Sequence, residues 1–400
     1  MWPLTTLGNV VTDTGQYGLN ASALKEGAGV RFIRITDIDA SGRLRGAAPA
    51  YVDATIPDLG RYILSPGDLL IARSGATAGK SLLFRGLPEP AVFAGYLIRF
   101  KTRDDLVLPE YLAHFLQSPV YWAYIRKTAR AVAQPNVNAC ELAALPLPLP
   151  SLAEQRQIVD LLSRAENILR MRREAEQKAK EIVPALFTDM FGAAARGGAV
   201  ALRPSGSDLP EGWRWTLLTS VARLATGHTP SRKVREYWDG GSIPWITLTD
   251  IRALDGKMAM STGQSVTQAG IDNSSAVVLP PGTVCFSRTA SVGFVTIMGQ
   301  EMCTSQDFVN WVCGETLNST YLMNTLIQSR GNLRALASGS THKTIYFPTV
   351  EQFHVLLPPI ELQRKFASTA DRIQTLEMQQ AVAVEKASET FRSLLWRMFG

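Results

Sequence analysis

Ala185-Leu186-Phe187-Thr188-Asp189-Met190-Phe191-Gly192, in the middle of the chain, and Ser393-Leu394-Leu395-Trp396-Arg397-Met398-Phe399-Gly400, at its end, close on the same Met-Phe-Gly 208 positions apart. Carried back without a gap, that offset sets Pro150 on Pro358, Glu154-Gln155-Arg156 on Leu362-Gln363-Arg364, and Arg164 on Arg372. It also sets Lys178-Ala179 on Lys386-Ala387 and Glu181 on Glu389. One shared tripeptide arises by chance, but a run held in one register from 150 to 192 does not. The chain is a unit used twice, and an internal repeat decides the fold before any local pattern does.

The matches continue upstream with small insertions. Ile35-Thr36-Asp37-Ile38 pairs with Leu248-Thr249-Asp250-Ile251, each after an apolar stretch and before a glycine (Gly42, Gly256), as a strand before a turn would be. Leu64-Ser65-Pro66-Gly67-Asp68 through Arg73-Ser74 pairs with Leu279-Pro280-Pro281-Gly282-Thr283 through Arg288-Thr289: a Pro-Gly turn, an apolar strand, and an Arg at its end. Tyr111-Leu112 and Tyr321-Leu322 each open an amphipathic helical pattern. Each unit is therefore a mixed α/β globule followed by a long helix.

From Ser151 to Phe191 the only interior helix breaker is Pro184. Ile158, Ala165, Arg172, Ala179 and Leu186 recur every seven residues, and Leu161, Ile168, Ala175 and Ile182 do so on a neighbouring row. Read as a and d positions, these rows predict a coiled-coil seam. Seven basic and seven acidic residues leave its outer faces neutral. The second copy carries Phe366, Ile373, Gln380, Ala387 and Leu394 beside a weaker row of Thr369, Leu376, Ala383 and Thr390. A helix of about 40 residues is ~60 Å long, beyond what one small globule requires. The chain order globule, helix, globule, helix predicts that the two helices pair antiparallel.

Composition narrows the classes. With 400 residues, 46% hydrophobic and 19% charged, the chain is an ordinary globular protein of two or three domains at roughly 150 residues each. The net charge of +6 permits a polyanionic partner without demanding one. No run reaches the ~18 apolar residues of a membrane helix. Met1-Trp2-Pro3-Leu4-Thr5 does not open like a signal peptide. Cys140, Cys285, Cys303 and Cys313 form no Cys-x-x-Cys pair, which predicts reduced thiols in a cytoplasmic protein.

These segments resemble the specificity subunit of a type I restriction-modification system, over essentially the whole chain. The most specific pieces are Leu147-Pro148-Leu149-Pro150-Ser151-Leu152-Ala153-Glu154-Gln155-Arg156 and Leu356-Leu357-Pro358-Pro359-Ile360-Glu361-Leu362-Gln363-Arg364, which look like the starts of the family's two spacer helices. The second departs from the pattern with Leu362 in place of the Glu. Thr226-Gly227-His228-Thr229-Pro230-Ser231-Arg232, followed by Tyr237-Trp238 and Ile243-Pro244-Trp245-Ile246, looks like the opening of a target-recognition domain. The first copy has Thr14-Gly15-Gln16-Tyr17-Gly18 instead.

The resemblance implies an α/β (α+β) fold in which two mixed α/β target-recognition domains are separated by two long antiparallel spacer helices. Its parts fall at 1–149 (first domain), 150–192 (central helix), 193–212 (linker), 213–357 (second domain) and 358–400 (C-terminal helix). It implies that each domain reads one half of a bipartite, asymmetric double-stranded DNA site while the helices fix the unread spacer. The helices would dock two methylation subunits, which methylate adenine with S-adenosylmethionine. Restriction subunits using ATP and Mg would join the full complex. No cofactor, metal or membrane is expected on this chain itself. The rival reading is a two-headed coiled-coil adaptor that binds proteins only.

Catalytic motifs are missing from the sequence. The Pro-Pro pairs, Pro280-Pro281 and Pro358-Pro359, each follow Leu and so lack the Asn/Asp of an adenine methyltransferase motif. Gly75-Ala76-Thr77-Ala78-Gly79-Lys80-Ser81 has three residues between its glycines where a phosphate-binding loop needs four. His114, His228, His342 and His354 have no metal-ligand spacing. A non-catalytic recognition subunit is expected. Its DNA-contact candidates are polar and basic residues at strand ends and loops. In the first domain these are Arg34, Thr36, Arg73, Ser74, Lys80, Gln134, Asn136 and Asn138. In the second they are Arg232, Lys233, Thr249, Arg288, Ser340, Thr341, His342 and Lys343. Asp37 and Asp250 read as turn caps, and Tyr237 and Trp245 as core.

Overall fold

The structure is a computed structural model that describes residues 2–24, 29–39, 41–45, 49–129, 135–192, 198–202, 204, 209–339 and 343–400. It divides into two compact units, Met1–Glu174 with Val382–Gly400, and Ala175–Ala381. No helix among the described residues is long and apolar enough to cross a membrane.

In the first unit a four-stranded antiparallel sheet runs in the order Gln16–Tyr17, Leu97–Phe100, Leu69–Ala72, Ser81–Leu83. A second sheet sets Gly29–Ile33 between Tyr51–Asp53 and, in parallel, Ala91–Phe93. Leu4–Thr6 pairs with Pro146–Pro148 beside the first long helix. The second unit repeats the plan. Ala222–Thr226, Phe308–Cys313, Val284–Ser287 and Val295–Met298 form the main sheet, extended by Met258–Ala259. Arg214–Leu217 pairs with His354–Leu357 as Leu4–Thr6 does with Pro146–Pro148. The two Pro-Gly turns place Gly67 and Gly282 at φ +98° and +82°, a left-handed conformation that costs glycine little.

The long helices run Leu152–Phe191 and Ile360–Phe399. The first passes through Pro184 without a break, with Val183 and Phe187 held in the core on either side. Each helix serves both units. Ile158, Leu162 and Leu169 lie in the core of the first unit, together with Phe391, Leu395 and Phe399 of the second helix. Val183, Phe187 and Phe191 lie in the core of the second unit, together with Phe366 and Ala370. The terminal phenylalanines occupy equivalent sockets. Phe399 meets Tyr111 edge-on at 5.5 Å, and Phe191 meets Tyr321 edge-on at 5.0 Å. Each of those tyrosines donates its hydroxyl proton to a backbone carbonyl, Tyr111 to Pro148 and Tyr321 to Leu356.

The d row read from sequence needs correction. Leu161, Ile168 and Ile182 are 41%, 55% and 47% exposed, whereas Leu162, Leu169 and Val183 are 0%, 5% and 7% exposed. In the second helix Leu376 is likewise exposed, and Ala370 and Phe391 are buried where the weaker row had Thr369 and Thr390. The buried stripe steps four and then three residues from Ile158 and from Phe366, not three and then four. Both spacings satisfy a 3.5-residue period, so the a row alone does not choose between its two neighbours.

The shared Gln of the helix starts has a structural task. Gln155 is fully buried; its amide donates to the carbonyls of Leu106 and Pro150, and its oxygen accepts from the Leu108 N–H. Gln363 repeats this with Thr316, Pro358 and Asn318. Glu154 is a cap: its carboxylate accepts from the Ser151 N–H at 2.9 Å and from the Trp2 indole at 3.1 Å. The Ser151 hydroxyl, which also donates to it, and then these two N–H groups hold its pKa below the ordinary carboxylate range. At the equivalent place Leu362 packs on the core instead, so the departure exchanges a polar cap for an apolar contact.

Phe191→Ala and Phe399→Ala are each expected to cost about 3–5 kcal/mol, as buried aromatic truncations do. Leu161→Ala, on the exposed row, should stay within about 0.5 kcal/mol. Urea denaturation of the three variants measures this.

Candidate nucleic-acid interface

In the first unit the strand Leu69–Ala72 ends by delivering Arg73 and Ser74, and a 3₁₀ turn follows at Gly75–Thr77. Main-chain bonds zip this loop to the polar run that precedes the last short helix. The Gly75 N–H donates to the Pro135 carbonyl at 2.9 Å, and the Val137 N–H to the Arg73 carbonyl at 2.8 Å. Ser74 bridges Asn136. Two segments far apart in sequence thus bring Arg73, Ser74 and Asn136 together. The Arg73 guanidinium lies 4.9 Å over the Tyr17 ring, whose hydroxyl accepts from the Ala139 N–H. Asn138 is exposed and caps the helix Ala139–Ala143, accepting from the Glu141 N–H at 2.9 Å. Gln134 lies outside the described residues.

Arg34, Thr36 and Lys80 form a second group. The Arg34 fork grips the nearly buried Asp37, with 2.9 Å from Nη2 to Oδ1. Thr36 is exposed on the turn between them. The Lys80 ammonium donates to the Ile38 carbonyl, tying the far end of the 73–80 loop to this turn. Asp37 and Asp250 both accept backbone N–H groups three residues back, from Arg34 and Thr247.

The second unit builds the same loop pair. Arg288 follows the strand Val284–Ser287; the Ala290 N–H donates to the Lys343 carbonyl, the Ile345 N–H donates to the Arg288 carbonyl, and Thr289 bridges Thr344. Lys343 is exposed there, while Ser340, Thr341 and His342 lie outside the described residues. Arg288 sits over the Phe347 ring at 4.7 Å and donates to the Gln306 carbonyl at 2.9 Å. Desolvation lowers its pKa below the ordinary arginine value, against a smaller opposing effect of Asp307. The Gln306 side chain accepts from the Thr229 hydroxyl at 2.7 Å, which connects Arg288 to the 227–232 loop. On that loop Arg232 lies over Trp238 and Trp245, and Lys233 is exposed beside it. Thr249 is exposed in the first turn of Leu248–Ala253; Arg252 of that helix reaches Ser291 in the strand-end loop, as Lys80 reaches Ile38 in the first unit.

Sequence reasoning missed Tyr17, Gln306, Phe347 and Trp238, the residues on which the arginines rest. The first unit's counterpart of Gly227 is Gly18, since a Cβ on either would stand 2.2 Å from a carbonyl of an adjacent segment, Ala94 or Thr304. Among the described residues no group of three or more His, Cys, Asp or Glu side chains is placed to hold a metal.

Comparison with known proteins gives one family. The type I restriction modification DNA specificity domain matches residues 2–181 and 210–386. The putative type I restriction enzyme MjaX specificity subunit of Methanocaldococcus jannaschii is 23% identical over 407 residues, 98% of this chain and 92% of the relative. The MjaIX specificity subunit of the same organism is 28% identical over 192 residues, so that match spans 46% of this chain and less than half, 44%, of the relative. Two solved structures share the fold: a type I restriction-modification system S subunit from M. genitalium, with TM-score 0.61, 12% identity and coverage of 100% and 96%, and a chain from a study of assembly and conformational transition of the type I system, with TM-score 0.57, 18% identity and coverage of 98% and 96%.

The loop pair carries its own test. Ala290 holds φ +58° where its counterpart Gly75 holds +74°, and a left-handed residue with a Cβ costs roughly 1–2 kcal/mol. Ala290→Gly is expected to stabilise the protein by about 1 kcal/mol. Gly75→Ala should destabilise it by a similar amount, since a Cβ there meets open space and only the backbone is strained. Denaturant midpoints report both signs.

Proposed function

The chain belongs to the type I restriction-modification DNA specificity family, and on that footing we propose that each of its two globular units reads one half of a bipartite, asymmetric duplex site. The observation that carries this reading is the recurrence of one cation-bearing loop pair, Arg73 with Asn136 and Arg288 with Thr344, in both halves of the repeat. Main-chain bonds fix the backbone of each pair at the end of its strand, a placement that suits contact with base edges and phosphates. The contacts we assign to the first half-site are Arg73, Ser74, Gln134, Asn136 and Asn138, with Arg34, Thr36 and Lys80 flanking. To the second we assign Arg232, Lys233, Thr249, Arg288, Ser340, Thr341, His342 and Lys343.

The domain division that goes with this is 1–149 and 213–357 for recognition, 150–192 and 358–400 for spacing, and 193–212 as linker. We take the two long helices to run antiparallel as the spacer, because each one begins in the core of one unit and ends in that of the other. Their outward apolar side chains, Leu161, Ile168, Met171 and Ile182 among them, suit docking of two methylation subunits that bring S-adenosylmethionine. Restriction subunits with ATP and Mg would complete a cytoplasmic complex. The chain itself then recognises and does not catalyse.

Two experiments test this. Replacing residues 1–145 with the first domain of a relative should change one half of the methylated site, read by sequencing modified DNA, and leave the other half intact; a change in both halves refutes the modular assignment. One added heptad in each long helix should widen the unread gap by about three base pairs, from ~10 Å of helix against 3.4 Å per base pair. An unaltered gap in an assembled, active complex refutes the spacer role.

A further inference from the structure

The loop 227–232 is held open by the two indoles beside it. The Trp238 Nε1–H donates to the Ser231 carbonyl at 3.1 Å, and the Trp245 Nε1–H to the His228 carbonyl at 3.4 Å. Gly227 sits against Thr304 and Ser305 so closely that no Cβ fits, and the His228 N–H is bonded to the Thr304 carbonyl. The same indoles then carry a guanidinium on their faces. The centre of Arg232 is 3.7 Å from the Trp238 ring centroid and 4.5 Å from that of Trp245, and the two rings meet edge-on at 5.0 Å. Desolvation by this packing lowers the pKa of Arg232 from its ordinary value, yet the residue remains exposed overall.

Among the described residues no carboxylate pairs with Arg232; the nearby Asp239 is taken by Arg235 at 3.4 Å. The two loop carbonyls next to it already accept indole protons, which leaves them less able to turn its fork back on its own backbone. Contact with two rings set 78° apart limits how the guanidinium can turn and covers part of its surface, so what remains for a ligand is its hydrogen-bonding edge. A phosphate satisfies a cation from many directions. A purine edge requires a donor fork held in its own plane.

We propose that Arg232 is a specificity-determining residue that donates its two-pronged edge to the O6 and N7 acceptors of a guanine in the half-site read by the second unit. This rests on the DNA-recognition reading above. The flat, preoriented fork matches the acceptor pair that distinguishes guanine in the major groove. Lysine at this position would keep the charge but lose both the stack and the fork.

The test is selection of binding sites from a randomised duplex pool by the full-length chain with its methylation partner, for wild type, Arg232→Lys and Arg232→Ala. The wild-type consensus should contain at least one G·C pair in the second unit's half-site. Both variants should lose discrimination at one such pair by about ten- to a hundredfold. Preferences at the other positions and throughout the first half-site should persist, and Lys should not rescue. Thermal melting should fall by no more than about 4 °C, because the side chain is exposed and its ring contacts contribute modestly. A uniform loss of affinity with all preferences intact, and a salt slope reduced by about one, would make Arg232 a phosphate contact and overturn the proposal. Unchanged affinity and consensus would make it a packing residue and also overturn it, as would a half-site without any G·C pair. A wild-type chain that selects no consensus at all would instead sink the DNA-recognition reading on which the proposal stands.

Discussion

Two phenylalanine side chains at the ends of long helices hold this chain together. Phe399 closes the core of the first unit against Tyr111 and Phe115, and Phe191 closes that of the second against Tyr321 and Phe366. Both are almost completely buried, and each comes from the helix that begins in the other unit. An aromatic ring in such a socket removes 150–250 Å² from water, a large contribution for one residue. The first core is completed by Val382–Gly400, more than 200 residues after Glu174, whereas the second is built from the continuous stretch Ala175–Ala381.

The buried glutamines extend the same economy to polar groups. Burying a carboxamide is unfavourable unless its donors and acceptor find partners. Gln155 and Gln363 each satisfy theirs with three backbone groups, fixing where the helix leaves the sheet and where the loop before the adjacent short helix passes. The strand-end loops 73–80 and 288–293 follow from sheets whose strands lead into that junction.

Much of this was legible in the sequence because duplication leaves a register. The 208-residue offset located the helices, and the upstream matches, displaced by small insertions, located the Pro-Gly turns and the arginine at each strand end. The buried face of the helices was not legible in the same way. Leu161 and Leu162 are adjacent and equally apolar, as are Ile168 and Leu169, and only the crossing of the partner helix decides which of each pair turns inward. The candidate interface was half legible. Polar residues near strand ends could be named, but the bonds that join residues 73–75 to 135–137 are tertiary, made by main chain, and leave no trace in residue type. The aromatic seats of the arginines were hidden for another reason. Trp245 is 4% exposed and reads as core, yet a buried ring can still present one face to a guanidinium.

The exchanged helix ends also limit how such a chain can evolve. A foreign first domain spliced onto this scaffold inherits Phe399 from a helix it did not evolve with, and must already possess a cavity of matching shape lined by residues such as Tyr111. Recombination between relatives is thus filtered at the socket before any new DNA preference can be selected. Loop residues that face outward escape that filter and can drift freely, whereas the sockets must be inherited unchanged.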